Sequence, residues 1–197
     1  MPVKIINMKL IDILSEIVTR QKKHIGAGRF HRIFPHPTNP DLVYKVGLYH
    51  VMYEWVPIFK AHPDLFPKVY GDIKSNMITF KDSFGDKVKR EASWILVEKL
   101  DTKTFNDFFE ELDEIDYEIR PYSALFDVYL KGRDSDEVMA FLDIIKRVAP
   151  NMYDRCVELF DLVDKVLDVT SKSDFRFDLH ANQFGYDKTG KLKCLDI

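Results

Sequence analysis

The stretch that decides the fold is Asp174-Phe-Arg-Phe-Asp178-Leu-His180-Ala-Asn182-Gln183-Phe-Gly-Tyr-Asp-Lys-Thr-Gly-Lys-Leu-Lys-Cys-Leu-Asp196-Ile197. It begins as a polar loop that carries acids, a histidine and two amides. The turn Asp187-Lys-Thr-Gly190 then separates two short apolar runs, which predicts a β-hairpin. Because the far ends of a tight hairpin meet, we expect Asp178 and Asp196 to lie at the same end of its two strands.

Two carboxylates and an amide held close together suit phosphoryl transfer. Asp178 would accept the proton of the attacking hydroxyl. Asp196 and a neighbouring amide oxygen would hold Mg²⁺ against the phosphates of a nucleotide. The hairpin is what brings these groups together.

The motifs of the chain resemble those of the protein-kinase-like superfamily. The run D-L-H-x-N-Q-F-G, followed by G-x-x-x-x-L-D, resembles its catalytic loop and metal-binding Asp. Upstream, the glycine loop Ile25-Gly-Ala-Gly-Arg-Phe30 and the strand Val43-Tyr-Lys-Val-Gly47 agree with it. The patterns P-H-P-x-x-P-x-x-V-x-K-V-G and F-D-x-H are most similar to the early Ser/Thr protein kinases of autographivirus-type tailed phages. The resemblance extends over residues 24–197.

This resemblance implies an α+β, two-lobed protein-kinase-like fold that binds ATP and Mg²⁺ between its lobes. Residues 1–101 would form an N-terminal helix and a small antiparallel N-lobe sheet. Residues 102–197 would form a truncated, mainly helical C-lobe that contains the catalytic hairpin. The activation segment and substrate-holding helices of a typical kinase are not expected, because Asp196 is followed by a single residue.

The glycine loop is expected to cover the phosphates. Gly26 and Gly28, with Ala27 between them, let backbone N–H groups approach a phosphate without a Cβ in the way. Phe30, at the tip, would close the site. The alternative is a plain hairpin turn.

Lys45 lies in the apolar run 42–46, which predicts a strand. A buried ammonium needs an anion, either a carboxylate or the nucleotide phosphates. A lysine that points to the surface from an edge strand is the alternative. By resemblance, Glu54 would pair with Lys45, since it is the one carboxylate of the predicted helix 49–61.

The hinge and the rest of the catalytic loop follow from the same resemblance. Backbone groups from Glu98 to Asp101, including those of Leu100, would bind the adenine edge. His180 stands where kinases have Lys, and it would neutralise phosphoryl charge if protonated. A structural loop histidine is the alternative.

The metal-binding Asn of the family pattern falls at Gln183, with Asn182 one place early. Gln keeps the amide oxygen but carries it one methylene farther out, and Mg²⁺ tolerates little error in distance. Gln183 itself is the expected metal ligand. Two alternatives stay open: a loop that has slipped to use Asn182, and a site that no longer catalyses.

Local patterns predict further elements. Apolar periodicity indicates helices over 5–20 and 49–61, the latter bent or broken at Pro57. Later helices are expected to be capped by Thr104, Ser135 and Asn151. Short strands are predicted near 67–70 and 77–80, then a charged loop over 82–91 and a buried strand over 93–100.

Composition excludes several functions. The net charge is −3 and the basic residues are scattered, which argues against nucleic acid as a ligand. No apolar run approaches the roughly 20 residues of a membrane span. Cys156 and Cys194 lack metal-site spacing and are expected to be free, buried thiols. We therefore expect a cytoplasmic protein, in the host cytoplasm if a phage encodes it.

The leading functional hypothesis is ATP-dependent phosphorylation of protein Ser/Thr, with host proteins as substrates. Asp178, Lys45 and His180 would be catalytic, and Gln183 and Asp196 would bind the metal. One alternative is a nucleotide-binding pseudokinase that acts through a protein partner. The other is a small-molecule phosphotransferase. The oligomeric state stays open, as does whether a partner or second copy completes the truncated lobe.

Overall fold

The computed structural model describes residues 26–27, 31–47, 49–81, 87–115, 135–171 and 183–195. The predicted helix over 5–20 lies outside them. The described residues form an α+β protein that divides into two compact units. The first unit is drawn from residues 1–60 and 68–99, and the second from residues 61–67 and 100–197.

The first unit is built on a five-stranded antiparallel sheet. Its strands, in the spatial order β1-β2-β3-β5-β4, are β1 (Gly26–Ala27), β2 (His31–Pro35), β3 (Leu42–Gly47), β4 (Val69–Lys81) and β5 (Lys87–Glu98). Helix α1 (Tyr49–Ala61) follows β3. The proline-rich segment after β2 connects it to β3, and the two strands pair in antiparallel register.

Strand β3 is buried on both faces, as its apolar run predicts. On one face, Tyr44 and Val46 form a core cluster with Phe34 and Trp94 from the neighbouring strands. Side chains alternate along a strand, so Lys45 belongs to the opposite face. That face receives α1.

Helix α1 packs through Met52, Trp55, Val56 and Phe59, which are all buried and recur at helical spacing. The helix was predicted to bend or break at Pro57. It is not broken there, because it continues to Ala61. Pro57 is exposed, so its ring takes no space in the core.

Strand β4 corrects the prediction of two separate strands, since one continuous strand covers both. The pairing register with β5 shifts between Tyr70 and Lys74, and Gly71 adopts a positive φ of 77°. The predicted loop over 82–91 is also too long, because β5 begins at Lys87. Most of residues 70–77 are exposed, so backbone pairing forms a strand there that no apolar alternation marks.

The second unit contains the remaining described elements. They are α2 (Thr102–Ile115), α3 (Ser135–Val148), α4 (Tyr153–Thr170), β6 (Phe184–Tyr186) and β7 (Leu192–Cys194). Phe105 of α2 is fully buried, and its ring lies 5.5 Å from that of Phe184 in β6. Phe141 of α3 meets Phe160 of α4 with 5.8 Å between ring centroids. Aromatic side chains therefore join the helices to one another and to the hairpin.

The caps of two helices differ from the prediction. Asp101, and not Thr104, caps α2: its carboxylate accepts hydrogen bonds from the amides of Lys103 and Thr104, both 3.1 Å, and from the Thr104 hydroxyl, 2.6 Å. The Thr104 bonds, chiefly, hold the pKa of Asp101 below its ordinary value. The residue before α4 is Met152, which makes no side-chain cap hydrogen bond, so the assignment of Asn151 was wrong.

The composition of the chain led to expectations about its cysteines and about membrane-spanning segments. Both cysteines are free and buried, as predicted, and burial raises the pKa of the Cys156 thiol to about 12. None of the described helices is long and apolar enough to cross a membrane.

Replacing Asp101 by Ala should lower the free energy of unfolding by about 1 kcal/mol, because two amides at the start of α2 lose their acceptor. Urea denaturation followed by circular dichroism measures this loss. Asp107→Ala, at an exposed position of the same helix, is the matched control and should change stability little. An equal effect of both variants would contradict the assignment of Asp101.

Candidate functional site

The predicted site residues fall into two groups. Those outside the described residues are Gly28, Phe30, Asp178, His180, Asn182 and Asp196. Those that the structure describes are Gly26 and Ala27, by their backbone, together with Lys45, Glu54, Glu98, Leu100 and Gln183.

Lys45 lies in the interior of the first unit. Strand β3 is flanked by β2 and β5, and Lys45 pairs with Ile33 on one side and Ile95 on the other. The residue is only 3% exposed. The alternative of a surface-pointing lysine on an edge strand is therefore wrong.

The ammonium of Lys45 meets aromatic rings of α1. Its Nζ lies 4.4 Å from the ring centroid of Trp55 and 5.6 Å from that of Phe59. Both distances are within the range of a cation–π interaction. Glu54, the expected partner, is exposed on α1, and no ion pair joins it to Lys45 among the described residues. The predicted pairing is not supported by this arrangement.

The start of the glycine loop is an extended strand. Gly26 pairs with Ile33, and Ala27 pairs with Arg32. The following residues 28–30 lie outside the description. Both earlier interpretations, a phosphate loop and a plain hairpin turn, require this strand pairing.

Hydrogen bonds hold the chain on either side of Leu100. The Glu98 amide donates to the Lys68 carbonyl, 2.9 Å, and the Glu98 carboxylate accepts from the Lys68 amide, 3.2 Å. Asp101 exchanges two backbone hydrogen bonds with Tyr186, of 2.7 and 3.1 Å. The short segment to which the resemblance assigns adenine binding is thus fixed at both ends.

The C-terminal hairpin turns where the sequence predicts. Strands β6 and β7 pair in antiparallel register, and Gly190 adopts a positive φ of 84° in the turn. Beyond the strands, the Leu195 amide donates to the Gln183 carbonyl over 2.6 Å. Gln183 therefore lies at the base of the hairpin, opposite the residue that precedes Asp196 in sequence.

Asp187 organises the turn. Its Oδ1 accepts from the Thr189 amide, the Thr189 hydroxyl and the Lys191 amide, at 2.8, 2.6 and 3.0 Å. Its Oδ2 lies 3.1 Å from the Lys193 ammonium, and the two side chains are 9% and 6% exposed. Burial alone would raise the pKa of Asp187, but the hydrogen bonds, led by that of the Thr189 hydroxyl, lower it to about 2.

Other parts of the second unit hold the hairpin in place. The Cys194 amide donates to the Leu65 carbonyl, 2.8 Å, so the segment 61–67 borders β7. The Leu192 amide donates to Glu158 of α4, 3.2 Å. At Gly185, a Cβ would lie 2.9 Å from the Leu100 Cβ, which only glycine avoids.

Within the described ranges, no group of three or more His, Cys, Asp or Glu side chains could hold a metal ion. Of the predicted Mg²⁺ ligands, the structure describes Gln183 alone. Its side-chain amide could supply one oxygen from the base of the hairpin.

Sequence reasoning missed three residues that shape these regions: Trp55, Asp187 and Lys193. The spacing of Trp55 and Phe59, four apart on a helix, marked a packing face but not the lysine that meets it. The Asp-x-Thr-Gly turn was recognised, and such turns commonly use the Asp side chain as acceptor. Nothing in the pattern marked Lys193 as its buried partner.

Comparison with known protein families finds no family that matches the chain. Comparison with curated proteins finds no match either.

Gly185→Ala should lower the free energy of unfolding by about 1–3 kcal/mol, because the added methyl forces β6 away from the Cβ of Leu100 and the backbone of Asp101. Thermal and urea unfolding measure the loss. Gly190→Asn is the control: the space around Gly190 is open, and Asn tolerates its positive φ, so the cost should stay below about 1 kcal/mol. A harmless Gly185→Ala would disprove the close packing.

The stability of the protein should fall in acid through Asp187. Because the folded pKa of about 2 is below the ordinary 3.8, the stabilisation is complete above pH 4 and is lost as the pH falls towards 2. The lost stabilisation should be about 2 kcal/mol. Urea unfolding measured from pH 7 to pH 2.5 should show the free energy of unfolding of wild type falling towards that of Asp187→Asn. A constant difference between the two proteins across that range would refute this origin.

Proposed function

We propose that the chain is an ATP-dependent phosphotransferase that phosphorylates Ser/Thr of proteins, with a protein-kinase-like fold. The observation that carries the proposal is the burial of Lys45 in β3, the central strand of a five-stranded antiparallel sheet that is followed by a packed helix. Its sequence motif and its structural setting agree.

The charge of Lys45 favours an anionic ligand. An ammonium that is 3% exposed has lost most of its hydration, which is costly unless other groups compensate. The phosphates of a nucleotide are anions of the kind that such a lysine binds. Binding ATP would therefore add a favourable charge–charge contact to this buried ammonium.

The hairpin of the second unit supports the proposed chemistry. The bond between Gln183 and Leu195 fixes the base of the hairpin, from which the amide oxygen of Gln183 and the carboxylate of Asp196 would hold Mg²⁺. Asp178 would act as the base towards the acceptor hydroxyl, and His180 would stabilise the transferred group. Backbone groups near Glu98 and Leu100 would bind adenine. The resemblance to phage kinases suggests host proteins as substrates, phosphorylated in the host cytoplasm.

One observation favours a nucleotide-binding pseudokinase as the second candidate. Gln183 stands in place of the Asn of the family pattern, at a backbone position fixed by a hydrogen bond of 2.6 Å. A longer side chain on a fixed backbone places its oxygen farther out, and Mg²⁺ is sensitive to that distance. The protein would then bind ATP but act through a partner.

The decisive experiment is phosphate transfer from labelled ATP in the presence of Mg²⁺ and a bacterial cell extract. Wild type should label extract proteins, and Asp178→Ala should abolish labelling while ATP affinity stays within about threefold, since the base contacts the acceptor and not the nucleotide. Binding is measured by calorimetry. A ligand at 100 times its dissociation constant should also stabilise the fold by about 2.7 kcal/mol.

Two further results bear on the proposal. Lys45→Met, which keeps the apolar stem and removes the charge, should weaken ATP binding in wild type and in Asp178→Ala alike. Binding without labelling would favour the pseudokinase. No binding of ATP at millimolar concentration would refute both candidates.

A further inference from the structure

The contact between Lys45 and α1 has an unusual chemistry for a buried lysine. Trp55 and Phe59 are each 1% exposed, and their ring centroids lie 4.7 Å apart. Lys45 Nζ lies 4.4 Å from the centroid of the first ring and 5.6 Å from that of the second. The ammonium therefore meets a pair of packed aromatic rings in a dehydrated part of the sheet.

The pairing of rings follows from the helical repeat. Residues four apart on a helix lie on one face, so Trp55 and Phe59 both reach the sheet. Glu54 lies one residue earlier, about 100° around the helix, and is exposed. Helix α1 thus offers rings to Lys45 at the place where the family pattern would offer a carboxylate.

We propose that Trp55, assisted by Phe59, is the positioning residue for Lys45, and that it prepares the ammonium to bind phosphate groups of the nucleotide. This inference rests on the proposed function. The electron-rich face of the indole attracts the cation and restricts its position. A ring carries no formal charge, so this contact holds the ammonium and leaves its formal charge unchanged.

The proposal predicts that loss of the indole weakens phosphate binding selectively. Trp55→Leu should reduce the affinity for ATP and ADP by about tenfold, since a dehydrated cation–π contact to Trp is of that strength. Adenosine lacks the phosphates, so its affinity should not change. Trp55→Phe keeps an aromatic face, so its affinity for ATP and ADP should stay close to that of wild type. Calorimetry for the nucleotides and competition binding for adenosine give the three affinities.

Trp94→Leu is the matched control. Trp94 is the other tryptophan of the chain, and it is buried in the cluster on the opposite face of the sheet from Lys45. Its loss should destabilise the first unit, but it should weaken ATP and adenosine binding to the same extent. If Trp55→Leu also weakens both ligands equally, Trp55 is only a core residue and the proposal is overturned.

Glu54→Gln tests the competing assignment. A loss of ATP affinity in Glu54→Gln, with Trp55→Leu unaffected, would show that the helix carboxylate positions Lys45 and would overturn the proposal. Retained ATP affinity in Glu54→Gln, together with selective loss in Trp55→Leu, would support it.

A measurement on the protein alone separates failure of this inference from failure of the proposed function. In NMR spectra with isotope-labelled lysine, the ε-methylene protons of Lys45 should be shifted upfield by the indole ring current, and Trp55→Leu should remove the shift. If ATP binds but the shift is absent, the positioning role is wrong and the function stands. If the shift is present but no ATP binds, the proposed function fails and the role towards phosphate fails with it.

Discussion

The first unit depends on one constraint: a positive charge must be accommodated on a strand, β3, that is buried on both faces. Strand β3 can be central only if neighbours cover each side, and Lys45 occupies the side that faces α1. The rings of Trp55 and Phe59 meet this requirement while they also form the packing face of the helix. The position of α1 on the sheet and the environment of the lysine are therefore determined by the same side chains.

The second unit also buries a lysine, but it solves the problem differently. Lys193 is 5% exposed and pairs with the Asp187 carboxylate, which in turn accepts three hydrogen bonds from the turn. Such a pair is satisfied internally and leaves little charge for a ligand. The two buried lysines therefore meet different groups, a carboxylate at Lys193 and aromatic rings at Lys45.

Much of the fold could be predicted where hydrophobic pattern and turn chemistry coincide. The apolar run of β3, the helical repeat of α1 and the Asp187 turn each had a physical signal, and the structure contains all three. Prediction failed where backbone pairing or a local cap decided the outcome. Residues 70–77 of β4 are mostly exposed, and the acceptor at the start of α2 is one of several candidate oxygens. The hydrophobic pattern of the sequence identifies neither an exposed strand nor the oxygen that caps a helix.

The candidate site was predictable in its lysine but not in what surrounds it. The family resemblance favoured Glu54, because it is the one carboxylate of the predicted helix 49–61. A helix rotation of about 100° per residue decides instead which neighbour faces the sheet, and that rotation is set by the bulk of Trp55 and Phe59. Burying two large rings is worth more than one exposed ion pair, which contributes about 1 kcal/mol or less. Hydrophobic packing of α1 therefore decides which groups of the helix contact the Lys45 ammonium.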